Sequence, residues 1–180
     1  MTFGKIPFKR PKELMFARNV AFGLDHLLFN KDRTTEKSKT AARAFYNPLG
    51  RKVLLGFVIP DFQRGLVWSV DQKVSLIESI WRGIPIGTYS VNFDTDKLPP
   101  DLTNILIDGQ QRLEAIDAYW NNEFEFGGYY WKDLSELDQH HFVRAPFPQM
   151  RTNSKNRAEV VEYYNAMNFG GVAHTEEDRA

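Results

Sequence analysis

The most sharply delimited element of the chain is a helix that the sequence predicts between Ser69 and Gly83. Ser69 is a favoured N-cap residue, and Gln72 follows three positions later, which is the spacing of a capping box. Gly83 suits the position just after a helix end, and Pro85 prevents continuation. Apolar residues recur on one face, so this helix must pack against a core. They are Val70, Val74, Ile77 and Trp81.

Apolar segments around this helix predict strands and further helices. Strands are predicted over residues 53–59, 86–93 and 104–107, the second with alternating apolar and polar positions. Helices are predicted over residues 11–28, 113–122, 135–142 and 158–167, and a polar surface loop over 30–43. Gly127-Gly128 suits the turn of a hairpin. This irregular interleaving predicts an α+β fold, and 180 residues suit a single domain.

Composition narrows the chemistry that the chain can perform. It contains no cysteine, which excludes disulfides, thiolate catalysis and zinc sites built on sulfur. No apolar run approaches the roughly 20 residues of a membrane span, and the first residues lack the apolar core of a signal peptide. We therefore expect a cytoplasmic protein that makes no membrane contact. The four histidines lack metal-ligand spacing, and no Walker loop or GxGxxG motif is present.

Charge is distributed unevenly, although the net charge is zero. Residues 1–50 contain ten Lys or Arg and four acidic residues, a balance of +6 that leaves −6 for the remainder. A basic segment of this kind suits the phosphates of DNA. A solvated surface segment explains the same composition without a ligand.

The strongest chemical signal is the strand–turn–helix junction Asp108-Gly109-Gln110-Gln111-Arg112. The glycine permits a tight turn, and the helix that follows presents free N–H groups that favour an anion. Arg112 has the fork geometry that suits phosphate, and Asp108 can hold a hydrated metal ion or polarise a water. Gln110 and Gln111 both donate and accept hydrogen bonds, which suits a ribose, a base edge or a water. The alternative is an aspartate cap followed by a polar surface turn.

Two further segments carry candidate ligands. Gln63 and Arg64 form a polar pair between the large apolar residues Phe62 and Trp68, so Arg64 is a candidate second phosphate ligand. Its alternative roles are stacking on Trp68 or pairing with an acid. Asn168 precedes a glycine turn at a helix end, where it suits either ligand contact or C-capping.

Taken in order, these segments resemble the N-terminal domain family of GmrSD-type DNA-restriction proteins. The resemblance extends over about residues 53–177 and rests on four motifs. They are Ile-Pro-Asp-Phe-Gln-Arg-Gly-Leu-Val-Trp (59–68), Leu-Ile-Glu-Ser-Ile-Trp-Arg-Gly-Ile-Pro-Ile (76–86), Ile-Asp-Gly-Gln-Gln-Arg-Leu (107–113) and Asn-Phe-Gly-Gly (168–171).

The resemblance implies a ParB/sulfiredoxin-like domain over residues 51–180, with a small mixed sheet and surrounding helices. Residues 1–50 would precede it as a basic segment made of a helix and a polar loop. The implied ligand or substrate is a nucleoside triphosphate with Mg²⁺. The implied catalytic residues are Asp108, Gln110, Gln111 and Arg112, with Asp108 as metal ligand. The implied nucleotide contacts are Gln63, Arg64, Asp108, Gly109, Gln110, Gln111, Arg112 and Asn168.

Two positions depart from the family pattern. Glu114 stands where a small polar residue is usual, and we expect its charge near the phosphates, where it would weaken nucleotide binding or hold a metal. Phe169 replaces a small polar residue of the glycine turn. Sulfiredoxin chemistry itself is excluded because the chain has no cysteine.

Three functions follow from these observations. The first is a nucleoside triphosphate-binding and hydrolysing domain that serves DNA restriction, defence or other DNA processing. The second is a ParB-like protein that binds or nicks DNA through the basic N-terminal segment. The third is a non-catalytic interaction module of a phage or mobile element, with a protein partner.

Overall fold

The chain is described by a computed structural model that covers residues 17–34, 45–94 and 98–169. Within these ranges six strands form one mixed sheet: β1 (Arg18–Val20), β2 (Val53–Leu54), β3 (Phe57–Val58), β4 (Tyr89–Asn92), β5 (Ile105–Asp108) and β6 (Gln149–Thr152). The same ranges contain the α-helices α1 (Asp25–Thr34), α2 (Val70–Trp81), α3 (Gln110–Trp120), α4 (Glu136–Val143) and α5 (Arg157–Phe169), and a 3₁₀ helix at Trp131–Asp133. The predicted α+β class with a small mixed sheet is confirmed.

The sheet has the order β1-β6-β4-β5-β3-β2. The central strand β4 runs antiparallel to β5 and parallel to β6, and β3 runs parallel to β5. The end of β5 therefore lies beside the start of β4. The ends of β4 and β6 lie at the other end of the strands. This geometry separates the two cavities described below.

Apolar side chains cover both faces of the sheet. On β5, Leu106 belongs to the larger cluster, which also contains Tyr89 and Ile116. Ile105 and Ile107 point to a smaller cluster that includes Val160 and Tyr164 of α5. Alternate residues of β5 thus contact helices on opposite faces, because successive strand side chains point to opposite sides. The strand that leads to Asp108 is held rigidly between two helical layers.

The helix that the capping motif predicts is confirmed, although Val70, which was predicted on its core-facing side, is 57% exposed. Ser69 Oγ accepts a hydrogen bond from Gln72 N, and Gln72 Oε1 accepts one from Ser69 N. The helix ends with Arg82 as C-cap, and Gly83 follows with a φ of 67°. Ser135 likewise caps α4 by accepting from Asp138 N at 3.2 Å. Gly127 and Gly128 form the predicted turn, although only one bridge, between Phe126 and Tyr129, joins its arms.

Three local predictions were wrong. The helix predicted over residues 11–28 is replaced in its described part by β1, which pairs with β6, and by a helix that begins only at Asp25. The polar loop predicted over 30–43 is helical as far as Thr34, and residues 35–43 lie outside the described ranges. The strand predicted over 53–59 is a tight hairpin, because Leu55 (φ 46°) and Gly56 (φ 86°) turn the chain.

The strand predicted over 86–93 is shorter in the structure, where it is β4. Its alternating apolar and polar residues do not form one buried and one solvent-exposed face. Ser90 and Asn92 are as fully buried as Tyr89 and Val91. Asn92 is satisfied by the carbonyls of Leu102 and Ser154, to which its amide donates. No helix in the described part of the chain is long and apolar enough to cross a membrane.

Candidate functional site

A cleft of about 170 Å³ opens where β5 ends and α3 begins. All eight residues that the sequence nominated line it, although they come from three separate segments. Trp68, Ile107 and Tyr164 complete the wall, and the sequence had not assigned Tyr164 to the site. The nominated residues are Gln63, Arg64, Asp108, Gly109, Gln110, Gln111, Arg112 and Asn168.

The start of α3 is the structural centre of the cleft. Gly109 is its N-cap, with φ 98° and ψ 8°, and no side chain caps the helix. The first N–H groups of an α-helix have no intrahelical acceptor, so this uncapped end presents donors and a partial positive charge. A Cβ at Gly109 would lie 2.7 Å from Cβ of Tyr89, which explains why glycine occupies the turn. The aspartate-cap alternative is therefore not what the structure contains.

Asp108 and Arg112 bind each other beside this helix start. Arg112 Nη2 donates to Asp108 Oδ2 at 2.8 Å, and both side chains are about one-fifth exposed. Arg112 Nη1 also donates to the carbonyl of Ile86 at 2.7 Å, and the guanidinium lies over the ring of Phe147. Arg112 thus fastens the first turn of α3 to the segment before β4. Part of its hydrogen-bonding capacity is already used inside the protein.

Both the oxygen and the nitrogen of the Gln111 side-chain amide make hydrogen bonds within the protein. Its Oε1 accepts from the backbone N–H groups of Val67 and Trp68 at 3.0 and 3.2 Å, and its Nε2 donates to the carbonyl of Gly65 at 3.1 Å. These three bonds hold the loop that follows Arg64 against α3. Gln111 therefore positions the loop, which is a different role from the direct contact that the sequence suggested.

Gln63 supports β5 in a similar way. Its Nε2 donates to the carbonyls of Leu106 and Ile107 at 2.7 and 3.0 Å. Its Oε1 is buried and has no partner among the described residues. A buried acceptor without a donor is costly, so this oxygen is a candidate acceptor for a ligand donor in the cleft.

Gln110 and Arg64 are the nominated side chains that remain available. Neither the Gln110 amide nor the Arg64 guanidinium has a hydrogen-bond or ion-pair partner within the described ranges, and Arg64 is exposed. Arg64 neither stacks on Trp68 nor pairs with an acid among these residues. Its backbone N–H instead approaches the hydroxyl of Tyr164, at 3.5 Å.

Helix α5 closes the far side of the cleft. Asn168 lies there, and its Nδ2 donates to the carbonyl of Tyr164 at 2.9 Å, which is a helix-end contact of the kind expected for C-capping. At the other end of α5, Arg157 donates to Asp61 at 2.6 Å. This hydrogen bond lowers the pKa of Asp61 and raises that of Arg157. The helix is thereby tied to the loop that carries Gln63 and Arg64.

The expected position of Glu114 near the phosphates was wrong. Glu114 Oε1 accepts from Lys73 Nζ of α2 at 2.8 Å, and both side chains are 16% exposed. Glu114 does not line the cleft. The helical rotation between Arg112 and Glu114 turns the carboxylate toward α2, where the lysine neutralises it.

Asp108 is the one carboxylate among the described residues that line the cleft. Its Oδ1 accepts no hydrogen bond within the described ranges, and those ranges contain no group of three or more His, Asp or Glu that could hold a metal alone. A single carboxylate suits Mg²⁺, which commonly takes one or two carboxylates and completes its shell with waters and phosphate oxygens. The donor set therefore fits a metal that arrives with a phosphate ligand.

The fold and cleft define an α+β domain in which strand β5 leads into the uncapped start of helix α3. The free N–H groups there can bind an anion. The family model of the GmrSD restriction endonuclease N-terminal domain matches residues 45–179. The chain belongs to this family, and membership indicates a role in DNA restriction or related DNA processing. Neither a curated protein nor a solved structure matches the chain.

Proposed function

We propose that the cleft binds a nucleoside triphosphate with Mg²⁺ and that the domain hydrolyses it in the service of DNA restriction, defence or other DNA processing. The observation that carries the proposal is the uncapped start of α3, which opens into a cleft beside Arg64, whose guanidinium has no partner among the described residues. Backbone N–H groups at a helix start and a free guanidinium are both phosphate ligands.

The residues divide into those that contact the ligand and those that position them. Arg64, the N–H groups of the first turn of α3 and the remaining donors of Arg112 contact phosphate oxygens. Asp108 would hold Mg²⁺, which when bound neutralises charge on the phosphates. Gln110 orients the attacking water, because its amide is free to donate and accept. Gln111 and Gln63 hold the surrounding backbone, and Asn168 closes the rim.

A thermal-shift screen with each nucleoside triphosphate, with and without Mg²⁺, tests binding. A ligand at 100 times its Kd stabilises the folded state by about 2.7 kcal/mol. A Mg²⁺-dependent shift that disappears in Arg64→Ala supports the proposal. No shift with any triphosphate contradicts it and makes the interaction module the better interpretation.

Hydrolysis is tested separately through Asp108. Asp108→Asn keeps the shape and an oxygen for Arg112 but removes the charge that a metal requires. We expect phosphate release to fall at least 100-fold while the thermal shift with nucleotide remains detectable. Unchanged phosphate release would remove Asp108 from the chemistry.

The ParB-like DNA-binding or nicking activity remains an alternative. Much of the basic N-terminal segment lies outside the described residues, so its contact with DNA stays a prediction. A plasmid-cleavage assay with Mg²⁺ distinguishes nicking from triphosphate hydrolysis.

A further inference from the structure

A second cavity, of about 260 Å³, lies at the other end of the sheet. It is formed where β4 and β6 end and β1 begins, and Arg18 and Arg151 are the cationic residues among its described lining. Because β5 is antiparallel to β4, the cleft at the start of α3 lies beside the start of β4 and this cavity lies beyond its end. The described residues that line it are Arg18, Phe93, Asp94, Arg151, Thr152 and Asn153.

Two arginines face each other directly in this cavity. Arg18 of β1 and Arg151 of β6 are register partners in the antiparallel pair, so their side chains leave the same face of the sheet. Like charges directly opposite each other destabilise a strand pair. Neither guanidinium has a carboxylate within ion-pair distance in the described part of the chain; Arg151 donates instead to the neutral Oε1 of Gln149, at 2.7 and 3.0 Å.

Of the two arginines, Arg151 is the one whose positive charge is destabilised by its surroundings. Burial lowers the pKa of its guanidinium, and the like charge of Arg18 lowers it further. Asp94 is the one acid among the described residues of the cavity, and its Oδ2 accepts from Asn153 Nδ2 at 3.0 Å. Among the described residues of the cavity, two cations and one carboxylate give a net positive charge, which an anion would balance.

An aromatic ladder leads away from these arginines, and we define it as Phe93, Tyr46 and Phe45. The Arg151 guanidinium lies 4.8 Å from the centre of the Phe93 ring. Tyr46 stacks on Phe93 at 6.0 Å and 15°, and Phe45 meets Tyr46 edge-on at 5.0 Å. Phe45, the last member, is 47% exposed. Cations beside stacking rings are the combination with which proteins bind single-stranded nucleic acid.

We propose that this cavity and ladder bind single-stranded DNA, with a backbone phosphate between Arg18 and Arg151 and an unpaired base against Phe45. The phosphate relieves the repulsion between the two arginines, and the exposed ring supplies a stacking face. The site is independent of the triphosphate cleft. DNA is favoured over other polyanions because the family acts in DNA restriction. An acidic peptide is less suitable because Asp and Glu side chains have no ring that could stack on Phe45.

Arg18→Glu provides the sharpest test, because we expect it to weaken DNA binding without lowering the stability of the fold. The new carboxylate would face Arg151 and replace repulsion with attraction, so the melting temperature should not fall. Binding of a fluorescent oligothymidylate, measured by anisotropy, should weaken at least 10-fold, which is the low end expected for loss of one charge-assisted contact. Arg18→Lys keeps the charge and should retain most of the affinity.

Arg82→Glu is the matched control. It makes the same charge change at the exposed C-cap of α2, where Arg82 pairs with Glu78 and lines neither cavity. Equal loss in Arg82→Glu and Arg18→Glu, or no loss in either, would overturn the proposal. Arg18→Gln should also reduce the slope of log K against log salt by about 0.7, the value for one phosphate contact on a single strand.

Two further variants test the remaining parts of the site. Asp94→Asn removes the opposing carboxylate and should tighten binding. Phe45→Ala should weaken binding by roughly 5-fold or more, since one stacked base contributes at least that factor. No change would overturn the assignment to a single strand.

Equally tight binding of a poly-glutamate peptide, or full displacement of the oligonucleotide by inorganic phosphate, would overturn this assignment as well. Arg18→Glu should keep the thermal shift with triphosphate, so failure here is distinguishable from failure of the proposed function.

Discussion

Gln110 and Gln111 are neighbours of identical chemistry in the first turn of α3, yet their amides have different surroundings. The Gln111 amide makes three hydrogen bonds to the loop that follows Arg64. The Gln110 amide makes none within the described ranges, although both residues line the cleft. Adjacent helical residues point about 100° apart, so one reaches the loop and the other remains available to a ligand.

This difference predicts opposite profiles for a matched pair of variants. Gln111→Leu should lower the free energy of unfolding by about 1–2 kcal/mol, because loop hydrogen bonds are lost. Gln110→Leu should leave stability unchanged and reduce phosphate release. Urea denaturation and a phosphate-release assay on both variants measure the two effects. Identical profiles would show that the division into positioning and contacting glutamines is wrong.

Arg112 is a second residue whose role is partly internal. Arg112→Ala should destabilise the ligand-free protein by about 2–3 kcal/mol, since Asp108 and the half-buried carbonyl of Ile86 both lose a donor. Arg112→Lys should recover only part of this loss, because a lysine cannot reproduce the fork that reaches both acceptors. Thermal denaturation without nucleotide measures both variants. An unchanged melting temperature in Arg112→Ala would mean that the guanidinium serves the ligand alone.

At the scale of elements, the sequence predicts what is decided locally. The capping box of Ser69 and Gln72 requires only neighbouring residues, and α2 forms where it predicts. The strand β1 could not be predicted in this way, because Arg18–Val20 becomes a strand only by pairing with β6. The hairpin at residues 53–58 was hidden because its turn uses Leu55, a non-glycine residue with positive φ, inside an apolar run.

The candidate cleft was predictable for the same reason, and the arginine cavity was not. Residues 108–112 are contiguous, so one junction supplies five of the eight predicted residues that line the cleft. The partnership of Arg18 with Arg151 depends on strand register across the sheet, which no local pattern reveals. Sequence also misplaced Glu114, whose pairing with Lys73 depends on how α2 packs on α3.

The turn between β5 and α3 predicts a difference between two glycines. Gly109→Ala should cost about 2–4 kcal/mol, because it combines an unfavourable φ with a 2.7 Å contact to Tyr89 Cβ. Gly83→Ala has a φ of 67° and nothing within 4 Å, so it should cost only about 1 kcal/mol. Denaturation midpoints of both variants test this. Equal losses would show that backbone strain alone, without the Tyr89 contact, explains the glycine at 109.

At the scale of the whole molecule, the antiparallel pairing of β4 and β5 places the candidate cleft and the arginine cavity at opposite ends of one sheet. Gly109 packs against Tyr89 at the start of β4, whereas Phe93 and Asp94 follow its end. Four residues of extended chain separate them by roughly 13 Å. No residue of the described ranges lines both cavities.

This separation predicts that the two sites act independently at equilibrium. Perturbations more than about 10 Å apart that share no partner usually add in free energy. The double variant Arg64→Ala, Arg18→Glu should therefore lose triphosphate affinity as Arg64→Ala alone does, and oligothymidylate affinity as Arg18→Glu alone does. Saturating triphosphate should change oligothymidylate affinity less than about 3-fold, and by linkage the reverse should hold. Calorimetry of each ligand with and without the other measures the coupling. A reciprocal change of 5-fold or more would mean that β4 and its neighbours adopt two arrangements that both ligands distinguish, and the rigid sheet described above would then be one of two states.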